Sequence, residues 1–107
     1  MSYDDAAFNL TLIEGARRDA DFCDATNPSY SGLWLAWSRD VAGIRAASLR
    51  RLRDEAQARG LSASDQERFI DLALARIRER VATLPQKLSH CPYFPGTLVK
   101  HKPLLRR

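Results

Sequence analysis

The sequence predicts an all-α fold, a small bundle of three main amphipathic helices followed by an extended, proline-containing basic C-terminal tail. Three observations support this prediction. Apolar residues recur at alternating spacings of three and four in two long segments, which is the period of an amphipathic helix. Residues that start or stop helices stand at the ends of these segments. After Pro85 the helical period is lost, and every charged residue is basic.

The first helix is predicted for about residues 4–24. Its apolar residues at helical spacing are Phe8, Leu12, Ala16 and Cys23. Asp4 and Asp5 suit the positive N-terminal end of the helix dipole. Turn-forming residues fill positions 24–32, so we expect a loop there.

The second helix is predicted to run without a break from Pro28 to Gly60. Asn27 followed by Pro28 fits the N-cap and first helical residue, and Gly60 fits the C-terminal cap. The buried seam of this helix is predicted to contain Trp34, Trp37, Val41, Ile44, Ser48 and Leu52. Ser48 is the one polar residue in this seam, so it is predicted to be a defect in the apolar pattern.

The third helix is predicted to begin near Ser64, because Glu67 follows three residues later and completes a capping box. Ser62 is the competing N-cap. The seam of the third helix is predicted to contain Ile70, Leu74, Ile77, Val81 and Leu84. Pro85 ends the helix.

The charge of the chain divides at residue 85. Residues 1–84 hold 12 arginines and all 13 acidic residues, for a net charge of −1, whereas residues 85–107 hold five basic residues and no acid. We therefore divide the chain into a three-helix bundle, 1–84, and a basic extended tail, 85–107, packed partly on the bundle. Within the tail, Pro95 and Gly96 fit the central positions of a type II turn.

Cys23 and Cys91 lie far apart in sequence and form no CxxC pair, so two free thiols are predicted. The acidic N-terminus lacks the charge and apolar stretch of a secretory signal. The longest apolar run is far shorter than the ~20 residues that span a bilayer. We therefore expect a cytoplasmic protein without membrane contact. The frequent Ala and Arg residues indicate a GC-rich bacterial or phage source.

No residue pattern indicates catalysis, a cofactor or a metal. His90 beside Cys91 is the only adjacent base and nucleophile, and neighbours in extended chain point to opposite sides. His90, Cys91 and His101 are zinc-ligand types without a chelating spacing. The sequence therefore predicts a protein that is not an enzyme and binds no cofactor.

The turn near Gly60 resembles that of a helix-turn-helix DNA-binding motif, because Ala56, Gly60 and Leu61 match its small, glycine and apolar positions. The following helix should then present an apolar residue near position 66, where the chain has Gln66. The pattern therefore favours an ordinary helical hairpin.

Several apolar residues fall outside the predicted seams or in the tail, where a bundle does not require them. These candidates for partner binding are Leu35, Leu49, Leu72, Tyr93 and Phe94. The leading hypothesis is a non-enzymatic protein-binding module, a small regulator, adaptor or inhibitor that occupies a partner's surface. A homodimer is the variant in which the partner is a second copy.

The alternative hypothesis is nucleic-acid binding through the basic tail and the second helix, because basic groups neutralise phosphates. The candidates for contact with nucleic acid or another acidic partner are Arg39, Arg50, Arg53, Lys100, Lys102, Arg106 and Arg107. A small enzyme is the second alternative, and no identifiable catalytic group favours it.

Overall fold

The computed structural model describes all 107 residues, which fold into helices without any β-strand. The α-helices are α1 (Tyr3–Asp24), α2 (Ser29–Asp40), α3 (Ala42–Ala58), α4 (Ala63–Ala82) and α5 (Phe94–His101). Two 3-10 helices span Leu88–Tyr93 and Lys102–Leu104. The all-α prediction is confirmed, and the fold contains more helices than the three main ones that the sequence predicts.

Helix α1 matches its predicted bounds and lies at the centre of the fold. Its N-terminus has a capping box, in which Ser2 Oγ accepts a hydrogen bond from the Asp5 N–H while Asp5 accepts one from the Ser2 N–H. Helices α2, α3, α4 and α5 all contact α1. As a consequence, buried residues occur on several faces of α1 and not along one stripe: Ala6, Asn9, Leu10, Ile13, Glu14, Ala16, Ala20 and Cys23.

The unbroken second helix predicted from the sequence is wrong, because the chain forms two helices that meet at Val41. The backbone of Val41 leaves the α-helical region, with φ −100° and ψ 6°. The predicted seam nevertheless continues across the break, with Trp37, Val41, Ser48 and Leu52 all buried. The break lets α2 and α3 contribute to different parts of the core.

The turn from α3 to α4 depends on Gly60, whose φ of 78° is the only positive value in the chain. Helix α3 ends just before Gly60, as predicted, since glycine adopts this conformation without a Cβ clash. Helix α4 is capped by Ser62 and not by Ser64, because the Ser62 hydroxyl accepts a hydrogen bond from the Asp65 N–H. Glu67 pairs instead with Arg53, at 2.8 Å.

The core consists of two clusters of buried side chains that share α1. The first joins the C-terminal half of α1 to α2 and the tail: Ile13, Ala16, Ala20, Trp37, Val41, Phe94, Leu98 and Leu105. The second joins the N-terminal half of α1 to α3 and α4: Ala6, Leu10, Leu52, Ile70 and Ile77. Each half of α1 is thus enclosed by a different set of helices.

The extended conformation predicted for the tail is wrong, since residues 88–104 are helical throughout. Pro95 lies in the first turn of α5, where a missing N–H costs no hydrogen bond, and Gly96 follows it in the same helix. The predicted type II turn at these two residues is therefore also wrong. The Trp37 indole Nε1–H donates a 3.0 Å hydrogen bond to the Leu98 carbonyl, which ties α5 to α2.

Asn9 holds the C-terminal end of the chain against α1. Its side-chain oxygen accepts a 2.7 Å hydrogen bond from the Arg106 N–H, and its Nδ2 donates one of 2.7 Å to the Arg106 carbonyl. The same nitrogen lies 3.1 Å from Ser48 Oγ in α3. Ser48 is therefore not a defect in the seam, because it completes the hydrogen bonding of a buried amide.

Two further polar contacts join α1 to α4. The nearly buried Glu14 carboxylate accepts two 3.3 Å hydrogen bonds from the Arg78 guanidinium. Arg18 donates to the carbonyls of Val81, Ala82 and Leu84 at 2.6 to 3.1 Å. Arg18 thereby caps the C-terminal end of α4, where the helix leaves carbonyl groups without partners.

The prediction of two free thiols is wrong, because Cys23 and Cys91 form a disulfide. Cys23 lies in the last turn of α1, and Cys91 lies in the first 3-10 helix of the tail. Separation in sequence does not prevent pairing, since the fold brings their Cα atoms within 5.6 Å. The tail is consequently fixed to α1 covalently near its start and by Asn9 near its end.

Replacing Asn9 by alanine should lower the free energy of unfolding by about 1 to 3 kcal/mol, because the Arg106 backbone groups then lose their buried partners. Urea unfolding followed by circular dichroism measures the change. Gln57→Ala, at an exposed position of α3, is the control and should shift stability by less than about 0.5 kcal/mol. Equal stability of the two variants would contradict the role given to Asn9.

Replacing both cysteines by serine should destabilise the protein by about 4 kcal/mol, because a disulfide closing a 68-residue separation restricts the unfolded chain strongly. Thermal unfolding of the wild type with and without reductant should show the same loss. Alkylation of the unreduced, unfolded protein followed by mass spectrometry checks the bond itself. Two alkylated thiols would show that the bond is absent.

Candidate protein-binding groove

A groove with an apolar floor lies between the N-terminal end of α1 and the outer face of α4, with a volume of about 460 Å³. We name it the α1–α4 groove. Helix α1 contributes Tyr3, Asp4 and Ala7; α3 and its C-cap contribute Leu52 and Arg59; α4 contributes Phe69, Leu72, Ala73, Arg76, Ile77 and Arg80. Three helices therefore build one concave surface.

The sequence of α4 places these residues on one side of the helix, because side chains three and four positions apart are neighbours on a helix surface. Ile77 is buried in the second core cluster and forms part of the floor. Leu72 is 60% exposed, so its apolar side chain faces solvent at the groove. The groove therefore combines a buried apolar floor with one exposed leucine.

Aromatic rings form one side of the groove. The ring centroids of Tyr3 and Phe69 lie 6.4 Å apart with an interplanar angle of 59°. The Arg59 guanidinium carbon lies 5.1 Å from the centre of the Phe69 ring, within the range of a cation–π contact. These contacts restrict the aromatic side chains before any partner is bound.

Three arginines and one acid give the groove its charge. Arg59 pairs with Glu55 at 3.5 Å, while Arg76 and Arg80 take part in no ion pair. Asp4 is the only acidic residue that lines the groove. The α1–α4 groove is therefore apolar at its floor and positively charged at its edge.

The predicted apolar candidates do not form one surface. Leu72 lies in the α1–α4 groove, whereas Leu35 is 52% exposed on α2. Leu49 is partly buried against the second core cluster. Tyr93 is 72% exposed at the end of its 3-10 helix, but Phe94 is 4% exposed and packs in the first core cluster. The folded protein therefore presents little of Phe94 to any partner.

Three of the predicted basic candidates are engaged inside the molecule. Arg53 pairs with Glu67, Lys102 with Asp40 at 3.7 Å, and Arg106 with Asp5 at 3.3 Å. The remaining candidates, none of which forms an ion pair, are Arg39, Arg50, Lys100 and Arg107. Of these, Arg50 and Arg107 line a shallow depression beside Met1, so the structure brings only two of the seven together.

Arg106 illustrates how the tail charges are used within the fold. Its guanidinium carbon lies 3.9 Å from the centre of the Phe8 ring. The pKa of Asp5 is lowered, first by its hydrogen bond from the Ser2 backbone and further by the Ser2 hydroxyl and Arg106, although desolvation opposes them. The negative charge of Asp5 therefore serves both the capping box and the docking of the tail.

A second cleft lies beside the disulfide, lined by residues that include Asp19, Gln86 and His90. The Gln86 amide donates to Asp19 Oδ1 at 3.0 Å. Desolvation lowers the pKa of the partly buried His101 below 6.5, and the nearby Asp19 charge raises it in part. His101 Nδ1 is buried without a hydrogen-bond partner.

The cysteines and histidines considered as zinc ligands are arranged differently from a metal centre. The sulfurs of Cys23 and Cys91 bond to each other. The structure contains no group of three or more His, Cys, Asp or Glu side chains placed to hold a metal ion. No helix combines the length and apolar character needed to cross a membrane.

The sequence analysis did not predict most of the residues that line the groove. Of its residues, only Leu72 was a predicted contact, while Phe69, Arg76 and Arg80 were assigned no role. The available signal was their spacing on α4, which continues the Leu72 face over three turns. Tyr3 and Arg59 carry no such signal, because only packing brings these distant positions beside α4.

Comparisons with family models, with curated proteins and with solved structures found no match to this chain.

The free energy of unfolding should fall between about pH 7 and pH 5, because the unfolded chain binds the His101 proton more readily than the folded chain does. The folded pKa is lowered, so this contribution to stability is complete above pH 6.5 and is lost as the pH falls below it. Urea unfolding at several pH values measures the change. His101→Gln should show a shallower pH dependence, and an unchanged dependence would contradict this role for His101.

Proposed function

We propose that this protein is a non-enzymatic protein-binding module, a small regulator, adaptor or inhibitor that acts by occupying a partner's surface. The observation that supports this proposal most directly is the exposed Leu72 above the apolar floor of the α1–α4 groove. Because Leu72 is 60% exposed, covering it with a partner contributes roughly 1 to 2 kcal/mol, a part of what full burial of a leucine provides.

The preformed character of the groove also supports binding. Tyr3 and Phe69 are held against each other, and Arg59 packs on Phe69. Side chains that are ordered before binding lose less conformational entropy when a partner arrives. The groove is built on helices α1 and α4, which are joined by the Glu14–Arg78 pair and by Arg18, so its two walls are fixed relative to each other.

The disulfide supports a non-enzymatic role, because Cys91 was the only candidate nucleophile beside a base in the sequence. The Cys91 sulfur is bonded to Cys23, so no thiol stands beside His90. Thiolate chemistry requires a free sulfur.

Nucleic-acid binding is the second candidate function, and one observation favours it. Arg50 and Arg107 meet at the depression beside Met1, where α3 and the end of the tail are adjacent. Asp40 and Asp54 line the same depression, however, and reduce its positive charge. Phosphate binding needs several uncompensated cations, so this surface is less well suited to the purpose than the groove is to protein.

The proposed source is bacterial or phage, and the proposed compartment is an oxidising one instead of the cytoplasm. The expectation of a cytoplasmic protein relied partly on free thiols. A disulfide between Cys23 and Cys91 favours an oxidising compartment, because cytosolic reductants keep most thiols reduced.

Capture from a lysate of the source organism tests the two functions against each other. The wild type should retain a protein after nuclease treatment, and Leu72→Glu should lose it while keeping its helical circular dichroism, because a charge would be placed on the apolar surface. Leu35→Glu is the matched control, since Leu35 is similarly exposed on α2. Loss of the captured protein on nuclease treatment, or equal capture by Leu72→Glu, would contradict the proposal.

A further inference from the structure

The charge around the α1–α4 groove indicates the chemistry of its partner. Arg76 and Arg80 stand four residues apart on α4, at the groove, and neither forms an ion pair within the chain. By contrast, Arg78, between them, is paired with the nearly buried Glu14. Of the three arginines that line the groove, Arg76 and Arg80 are thus the two without an acidic partner.

The length of the groove indicates the form of the partner. The α4 residues that line it run from Phe69 to Arg80, about three helical turns or roughly 16 Å at 1.5 Å per residue. An amphipathic helix presents apolar residues at positions i, i+3, i+4, i+7 and i+11 over the same distance and buries them in such grooves.

We propose that the α1–α4 groove binds an acidic amphipathic helix of a partner protein, whose apolar side chains cover Leu72 and Phe69 and whose carboxylates approach Arg76 and Arg80. This inference rests on the protein-binding function proposed above and names the partner's chemistry. Asp4, the single acid at the groove, opposes such a partner and is the one lining residue whose neutralisation improves the fit.

A second copy of this chain does not supply such a helix. The most acidic helix, α1, has six acidic and two basic residues, but α2, α3, α4 and α5 pack around it. Helix α4 carries four acidic and four basic residues, and α3 carries more basic than acidic ones. The charge complementarity therefore favours a different protein over self-association.

Fluorescence anisotropy with two labelled peptides tests the inference on the full chain with its disulfide intact. The acidic peptide is a designed amphipathic helix of about four turns, or roughly 14 residues, with leucines on one face and glutamates beside them. The basic peptide has lysine in place of each glutamate. The protein should bind the acidic peptide at least about tenfold more tightly, and added salt should reduce the difference.

Two pairs of variants locate the site. Leu72→Ser should weaken binding of the acidic peptide at least about tenfold, whereas Leu35→Ser should not change it. The double variant Arg76→Gln/Arg80→Gln should weaken it about fivefold, and Arg50→Gln/Arg107→Gln should leave it within about twofold. Circular dichroism confirms that each variant is folded.

Asp4→Asn should strengthen binding of the acidic peptide, a result that loss of folding could not produce. Asp4 is exposed, and the capping box uses Asp5, so the variant should fold. It should bind the acidic peptide about twofold more tightly, because one repulsive charge is removed.

The inference is overturned if the acidic peptide fails to bind, if both peptides bind equally, or if the groove variants bind like their controls. Displacement of the acidic peptide by a single-stranded oligonucleotide at a lower concentration than by unlabelled peptide would also overturn it, in favour of nucleic acid. Leu72-dependent capture of a protein from lysate, with no binding of the acidic peptide, would retain the proposed function and reject the acidic helix.

Discussion

The structure depends on the enclosure of α1. Four other helices pack on this one helix, and several of its contact positions are alanine, which allows the neighbouring backbones to approach closely. Enclosure also means that polar side chains on α1 must find partners inside the protein, because an unsatisfied buried group costs about 1 to 3 kcal/mol. Asn9 meets this requirement with the backbone of the tail at Arg106, and Glu14 and Arg18 meet it with groups of α4.

These polar contacts explain why the basic tail is folded and not a free arm. The Asn9 amide holds the backbone at Arg106, while the Arg106 guanidinium packs on Phe8 and pairs with Asp5. Phe94, Leu98 and Leu105 add apolar burial in the first core cluster. Exposed ion pairs contribute little on their own. The disulfide, the apolar burial and the Asn9 hydrogen bonds are therefore the main reasons that the tail docks, whereas only Lys102 and Arg106 among its five basic residues pair with acids.

The groove is a consequence of how α4 packs. Ile70, Ile77 and Val81 face the interior, so one side of α4 is committed to the core. The adjacent side, with Leu72, Arg76 and Arg80, borders the groove, whose other lining residues come from the first two turns of α1 and from Leu52 and Arg59. That side consequently remains exposed, and its leucine belongs to neither core cluster while its two arginines form no ion pair.

The sequence by itself determined the helical class and most helix ends. Spacings of three and four identified the seam of α3 and that of α4 as far as Val81, but the predicted seam residue Leu84 lies beyond α4 and is 57% exposed. Gly60 and Pro85 marked where helices stop, because these signals depend on local backbone chemistry. The interruption at Val41 could not be predicted in this way, since no proline stands there, Gly43 lies within the first turn of α3, and the seam continues across the break. The predicted extended tail failed for a related reason. Proline excludes a helix interior but not a first turn, and the sequence does not say which position Pro95 will occupy.

Only the tertiary structure decided the contacts between distant positions. Cys23 and Cys91, Asn9 and Arg106, and Tyr3 and Phe69 are each separated by more than 60 residues. Their pairing follows from how helices pack around α1, and no local pattern encodes it. The same holds for the candidate site: α4 alone supplies a stripe with Leu72 and two arginines, but the stripe becomes a groove only because the first two turns of α1 form its second wall.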